Sequence, residues 1–142
     1  MGDSAYKLHF DIDGDDFSVA GEASSNIKKV LNKLGIPPNI VRKVAVATYE
    51  GEINMVIHAD GGTIDVEITP EYIKILLQDK GPGIKSIDLA MQEGYSTASA
   101  EVRELGFGAG MGLPNMQKYT DYMNVDSKLG VGTTIEMRVN IA

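Results

Sequence analysis

There is no cysteine anywhere in the chain, which removes disulfides, thiol nucleophiles and thiolate metal sites from consideration together. Nor does any apolar run approach the ~20 residues that span a bilayer, and the charged start carries no signal-peptide pattern. Met1-Gly2 would allow myristoylation, but Tyr6 stands where that motif needs Ser or Thr. A cytoplasmic location is therefore the default expectation. Positive charge is scarce: 13 Lys and Arg against 20 Asp and Glu leave a net charge of −7. With no local basic patch visible, neither a nucleic-acid nor an anionic-membrane surface is expected. A polyanionic ligand would have to be held by backbone amides and a metal rather than by a bed of lysines. Two common phosphate loops are also missing. No glycine-lysine-serine/threonine sequence occurs, so there is no Walker A loop. The pattern G-x-G-x-x-G fails as well, because Gly106-x-Gly108 is followed by Met111 and Gly108-x-Gly110 by Leu113.

What the chain does contain is an ordinary globular composition: 142 residues, 43% hydrophobic and 23% charged. That length fits a single domain over residues 1–142 with a core of useful size. Tyr6 to Ile12 alternates apolar and polar and predicts a half-buried strand, with His9 as a surface or edge residue. After a turn at Asp13–Asp16, Phe17–Ala20 predicts a short second strand. Ile27, Val30, Leu31 and Leu34 share helical spacing within Ala23–Leu34; Ser24 and Ser25 are candidate caps, and Gly35 is the stop. Pro37-Pro38 breaks the chain before a long helix that reaches Ala59 and exits at Asp60-Gly61-Gly62. Thr63–Thr69 and Tyr72–Gln78 predict an antiparallel hairpin turned at Pro70-Glu71. Ile87–Gln92 predicts a short helix, and Glu93–Leu105 a long loop of the kind that is usually functional. A helix from Leu113 to Tyr122 follows, then a second hairpin, Asn124–Lys128 with Thr133–Ile141. The order predicts an α+β two-layer sandwich: a mixed, mostly antiparallel sheet with helices on one face.

The chemistry concentrates in three places. On the long helix, Glu50, Asn54 and His58 are spaced i, i+4, i+8 and share one face. At ~100° per residue Ala47 and Gly51 fall on the same arc, and their small size leaves room for a polar ligand. At a strand exit stands Asp79-x-Gly81-x-Gly83. A carboxylate fixed there can accept a hydrogen bond from an exocyclic amine, and the bare glycines admit a flat ring. Before the next helix comes Gly106-x-Gly108-x-Gly110-x-Gly112, whose amides and helix start suit an anion. Each feature alone has a plain alternative: a solvated helix face, a common turn, a glycine hinge.

Taken in order, and with Gly132-Thr133-Thr134 in the last hairpin, they resemble the GHKL (Bergerat) ATP-binding superfamily. Within it, Glu93-Gly94-Tyr95-Ser96-Thr97 and Gly110-Met111-Gly112-Leu113-Pro114 resemble the lid edges of bacterial anti-sigma-factor serine/threonine kinases. The resemblance implies that Asn54 ligates Mg²⁺ and that Glu50 is the general base. It implies that Asp79 reads adenine with help from Thr133, that Gly81 and Gly83 shape the adenine pocket, and that Gly108, Gly110 and Gly112 cover the phosphates. His58 would supply a supporting hydrogen bond, and Arg103 would reach the γ-phosphate or a partner. Glu52, about 200° round the helix from Glu50, is left out of the site.

Three functions follow for comparison. The first is an ATP- and Mg²⁺-dependent protein serine/threonine kinase that phosphorylates a STAS-domain antagonist and also holds a sigma factor, working as a homodimer as related kinases do. The second is a nucleotide-dependent protein-binding switch with weak ATPase and no kinase activity. A histidine-kinase-type catalytic domain is disfavoured because no helical hairpin carrying a phosphoacceptor histidine precedes the domain, and a gyrase-like or chaperone-like ATPase would need further domains.

Overall fold

Period-two alternation and helical spacing translate directly into a sheet with one covered face. The computed structural model describes residues 6–13, 21–58, 61–79, 112–128 and 131–141. In chain order these form β1 (Tyr6–Asp13), α1 (Glu22–Lys33), α2 (Pro38–His58), β2 (Gly61–Ile68), β3 (Tyr72–Asp79), α3 (Gly112–Lys118), β4 (Tyr122–Lys128) and β5 (Gly132–Asn140). The strands make one sheet in the order β1-β2-β3-β5-β4, and every pairing among the described residues is antiparallel. The expected mixed sheet is thus wholly antiparallel here, since hairpins join β2 to β3 and β4 to β5. The expected strand at 17–20, the helix at 87–92 and the loop at 93–105 lie outside the described residues.

Alternate residues of the strands pack under the helices. Ile64, Val66 and Ile68 of β2, Ile73, Ile75 and Leu77 of β3, and Ile135, Met137 and Val139 of β5 are all buried. From β1, Leu8, Phe10 and Ile12 are only partly buried against this core, as befits an edge strand. The helices answer with Ile27 and Leu31 of α1, Val44 and Ala47 of α2, and Met116 of α3. Helix α2 lies between α1 and α3, which explains why apolar residues occupy so much of its circumference. The opposite sheet face is polar. It carries His9 against Asp65, and the Arg138 guanidinium 4.5 Å from the centre of the Tyr72 ring.

Helix ends follow local chemistry, with two departures from expectation. Gly35, at φ 77°, closes α1: its N–H donates to Asn32 O and the Ile36 N–H to Leu31 O, both at 3.1 Å, a Schellman arrangement. Pro38 opens α2, where a missing N–H costs nothing. At the start of α1, however, neither Ser24 nor Ser25 is the cap. The N-cap is Gly21, and the Ser24 hydroxyl lies inside the helix, donating to Gly21 O at 3.0 Å. The last helix is also shorter than the expected Leu113–Tyr122. The Thr120 hydroxyl donates to Met116 O at 2.7 Å, and the Asp121 N–H turns to Arg138 O at 2.9 Å. The chain has therefore joined the sheet by Tyr122, which pairs with Arg138.

Candidate functional site

One end of the sheet gathers the sequence-named residues. Helix α2 finishes at His58 and β2 begins at Gly61. Gly62 there pairs with Ile12 on one side and Asp79 on the other. Asp79 follows the buried Ile75 and Leu77 at alternate positions, which puts it on the helix-covered face. Gly62 is fixed by contact: a Cβ there would overlap the Gln78 backbone carbonyl and stand 2.9 Å from Asp79 Cα. The second glycine of the Asp60-Gly61-Gly62 exit therefore lets β2 lie close beside the strand end that carries Asp79.

Asp79 and Thr133 come together. The Thr133 N–H donates to Asp79 Oδ1 at 3.1 Å. Thr133 is buried, with its hydroxyl 2.9 Å from that of Ser127. The start of β5 thus holds the Asp79 carboxylate, at the end of β3, by a backbone donor. The Thr133 backbone orients Asp79, and its hydroxyl faces Ser127.

Glu50 and Asn54 sit on successive turns of α2, both half-buried. Asn115 of α3 donates from Nδ2 to Glu50 Oε2 at 2.9 Å. Burial pushes the Glu50 carboxyl above its ordinary value, and the Asn115 donor pulls against that shift. The neighbouring Tyr49 hydroxyl is raised too, by burial first and then by the charges of Glu50 and Glu52. The expected space around Ala47 and Gly51 is absent. Ala47 is fully buried, and a Cβ on Gly51 would overlap Leu77 Cδ2 and lie 3.3 Å from Met116 Cε. Small residues there bring α2 down onto the sheet and admit Met116; they do not open a ligand pocket. The same contact ties the two halves of the site. Gly51 follows Glu50, and Leu77 lies one pleat repeat before Asp79.

Sequence reasoning missed Asn115, and it left Glu52 out of the site without finding its structural role. Asn115 had no signal of its own beyond its place three residues after Gly112. Glu52 is 1% exposed, and its two oxygens accept the Ala23 and Ser24 N–H groups, each at 3.1 Å. It caps α1 from a different helix, and the helix dipole favours its charge there. Gly112 is the first residue of α3. Gly81, Gly83, Gly108, Gly110 and Arg103 lie outside the described residues, as does the side chain of His58.

Among the described residues no group of three His, Asp or Glu could hold a metal, so a cation would need ligands beyond these carboxylates and imidazoles. A hard ion that takes one amide oxygen and fills its shell from phosphates and water suits Asn54. A cavity of about 380 Å³ lies elsewhere, between Lys28 and Asn32 of α1 and Val41, Arg42 and Ala45 of α2, and none of the sequence-named residues lines it. No helix among the described residues is long and apolar enough to cross a membrane.

Comparison with known proteins gives a consistent outcome. Residues 49–142 match the family described as histidine kinase-, DNA gyrase B- and HSP90-like ATPase. The chain is 29% identical over 113 residues to the serine/threonine-protein kinase RsbT of Bacillus subtilis, covering 77% of this chain and 79% of that one. It is 33% identical over 102 residues to an anti-sigma F factor of Caldanaerobacter subterraneus, covering 68% of each. In structure it resembles the RsbU and RsbW domains of a Mycobacterium tuberculosis protein, with a TM-score of 0.63 at 13% identity, over 94% of this chain and 32% of the other. It also resembles a chain of the SiaB–SiaC complex of Pseudomonas aeruginosa, with a TM-score of 0.57 at 13% identity, over 94% of this chain and 89% of that one.

Proposed function

Because this chain belongs to the histidine kinase-, DNA gyrase B- and HSP90-like ATPase family, we propose that it is an ATP-dependent serine/threonine kinase. Its substrate would be a STAS-type regulatory partner, and it would also hold a sigma factor. The observation that carries this reading is Glu50: a half-buried carboxyl held above its usual range, one turn before an amide suited to Mg²⁺. A base for a serine hydroxyl works best when its pKa is brought up towards neutrality, and burial moves Glu50 in that direction.

When bound, ATP would supply the phosphoryl group, with ADP as the leaving group, and Mg²⁺ would offset the phosphate charge. The side-chain oxygen of Asn54 would hold the ion. Glu50 accepts the proton of the incoming hydroxyl. Asp79, its orientation set by the Thr133 N–H, accepts a hydrogen bond from the adenine amine. By the family resemblance, Gly81 and Gly83 would shape the adenine pocket, and Gly108, Gly110 and Gly112 would cover the phosphates. The RsbT and anti-sigma F relatives support the kinase reading and its choice of partners.

The test is transfer from labelled ATP to STAS-domain proteins encoded beside this one. The parent transfers label to Ser or Thr in the presence of Mg²⁺. Glu50→Gln binds ATP with unchanged affinity and loses transfer by roughly 100-fold or more, whereas Asn54→Ala loses the Mg²⁺-dependent part of nucleotide binding. A parent that binds the partner in a nucleotide-dependent way but never labels it would replace the kinase with a binding switch.

A further inference from the structure

We propose that Asn115 is the positioning residue for Glu50: its amide fixes one carboxylate oxygen so that the other is presented to the substrate hydroxyl. This rests on the assignment of Glu50 as the base.

The contact joins residues 65 apart in sequence, on two different helices. It is set by the pair of residues beside it. Met116 is fully buried and reaches Gly51, where a Cβ would lie 3.3 Å from its Cε. Met116 and Gly51 are the chain neighbours of Asn115 and Glu50. The docking that seats Met116 over the bare Gly51 backbone therefore brings the adjacent amide and carboxylate to 2.9 Å.

The chemistry of the pair is directional. An ionised carboxylate only accepts, so Asn115 meets it with Nδ2. Among the described residues Asn115 is the hydrogen-bond donor to Glu50, and it takes Oε2. Oε1 is left to receive the proton. A carboxylate free to rotate on a long side chain would divide its time among orientations, and a base misplaced by an ångström loses much of its rate. Asn115 also pulls the Glu50 carboxyl back down against the burial effect, because its donor favours the ionised form. Among the described residues, the other titratable group beside the pair is Tyr49 on α2, whose hydroxyl feels the Glu50 charge.

The experiment compares the full-length parent, Asn115→Leu, Asn115→Gln and Glu50→Gln. Glu50 is followed by carboxyl ¹³C NMR titration, and transfer to the STAS protein labelled by the parent is followed in parallel. Asn115→Leu is expected to raise the Glu50 pKa, to lower kcat by about 10-fold or more and to leave KM for ATP within about threefold. Asn115→Gln, which keeps the amide, is expected to restore part of both. The inference is overturned if Asn115→Leu matches the parent in titration and in kcat while Glu50→Gln is inactive. It is equally overturned if KM alone moves. A Glu50→Gln variant that transfers as fast as the parent instead removes the base assignment itself.

Discussion

Glu50 and Glu52 stand two residues apart on α2 and occupy opposite physical situations. Glu52 is buried almost completely, yet both its oxygens meet backbone N–H groups at the start of α1. Glu50 is only half-buried, and among the described residues it has a single side-chain donor. A buried charge that is fully hydrogen-bonded belongs to the architecture, because it saturates donors that α1 would otherwise leave bare. A carboxyl that is partly dehydrated and sparingly bonded is poised to exchange a proton. On helical spacing alone the two were separable only by which one shared a face with Asn54. Burial and partners now separate them by kind.

The largest effect should come from breaking Glu52. Glu52→Ala strips the acceptor from the Ala23 and Ser24 N–H groups and leaves a hole beside them. Each stranded donor costs about 1–3 kcal/mol, so the loss for the two is expected at roughly 2–6 kcal/mol. Urea unfolding should show it as a lowered midpoint with an unchanged slope. Glu52→Gln, which keeps one oxygen, should fall between. A Glu52→Ala protein as stable as the parent would mean that α1 is capped by some other group.

Glu50→Gln sharpens the contrast from the other side, since it should change stability at neutral pH by no more than about 1 kcal/mol. The pH dependence carries the sign. Burial raises the Glu50 carboxyl above its ordinary 4.5 in the folded chain. Between that value and the raised one, the folded state holds a proton that the unfolded state has lost. Stability therefore falls as pH rises through this window and stays at its lower level above it. In Glu50→Gln that contribution is gone. The parent-minus-variant difference in unfolding free energy should accordingly be more favourable to the parent on the acid side. A difference that does not change with pH would place Glu50 in ordinary solvent.

The sheet and the paired helices were legible because their signals are local. Alternation in Thr63–Thr69, the glycine after Leu34 and the proline pair before Asn39 each act over a few residues. Strand order β3-β5-β4 was not written in any one segment, because it depends on how α3 crosses back. The arc of Ala47 and Gly51 misled for a related reason: small side chains permit a ligand or a close neighbour equally well, and here Leu77 and Met116 fill the space. The capping role of Glu52 was not legible because its partners, the Ala23 and Ser24 N–H groups, are backbone groups on another helix and leave no mark in composition. Charge behaved alike. Between Glu22 and Glu50 there is no acidic residue, while Lys28, Lys29, Lys33, Arg42 and Lys43 all occur. Only the packing of α1 on α2 sets Lys28 and Arg42 across one cavity.

His9 provides the smallest effect and completes the comparison, since it is a titrating group with two close acceptors and almost no burial. Its Nδ1 lies 2.6 Å from Asp65 Oδ1 and its Nε2 3.2 Å from Asp11 Oδ1, on the open face of the sheet. The Asp65 hydrogen bond, and then that of Asp11, raises its pKa above the ordinary 6.5. The pairing therefore stabilises fully below the unfolded value and is lost as pH rises through the folded one. Solvent screens such a pair strongly. His9→Asn should accordingly leave the unfolding midpoint almost unmoved, with any loss confined to acid pH and low salt. An imidazole NMR titration of His9 should show the raised pKa relaxing towards 6.5 as salt is added. A titration at the ordinary value in low salt would mean that the two aspartates do not hold the ring. Exposure would then leave His9 unperturbed, where partial burial shifts Glu50.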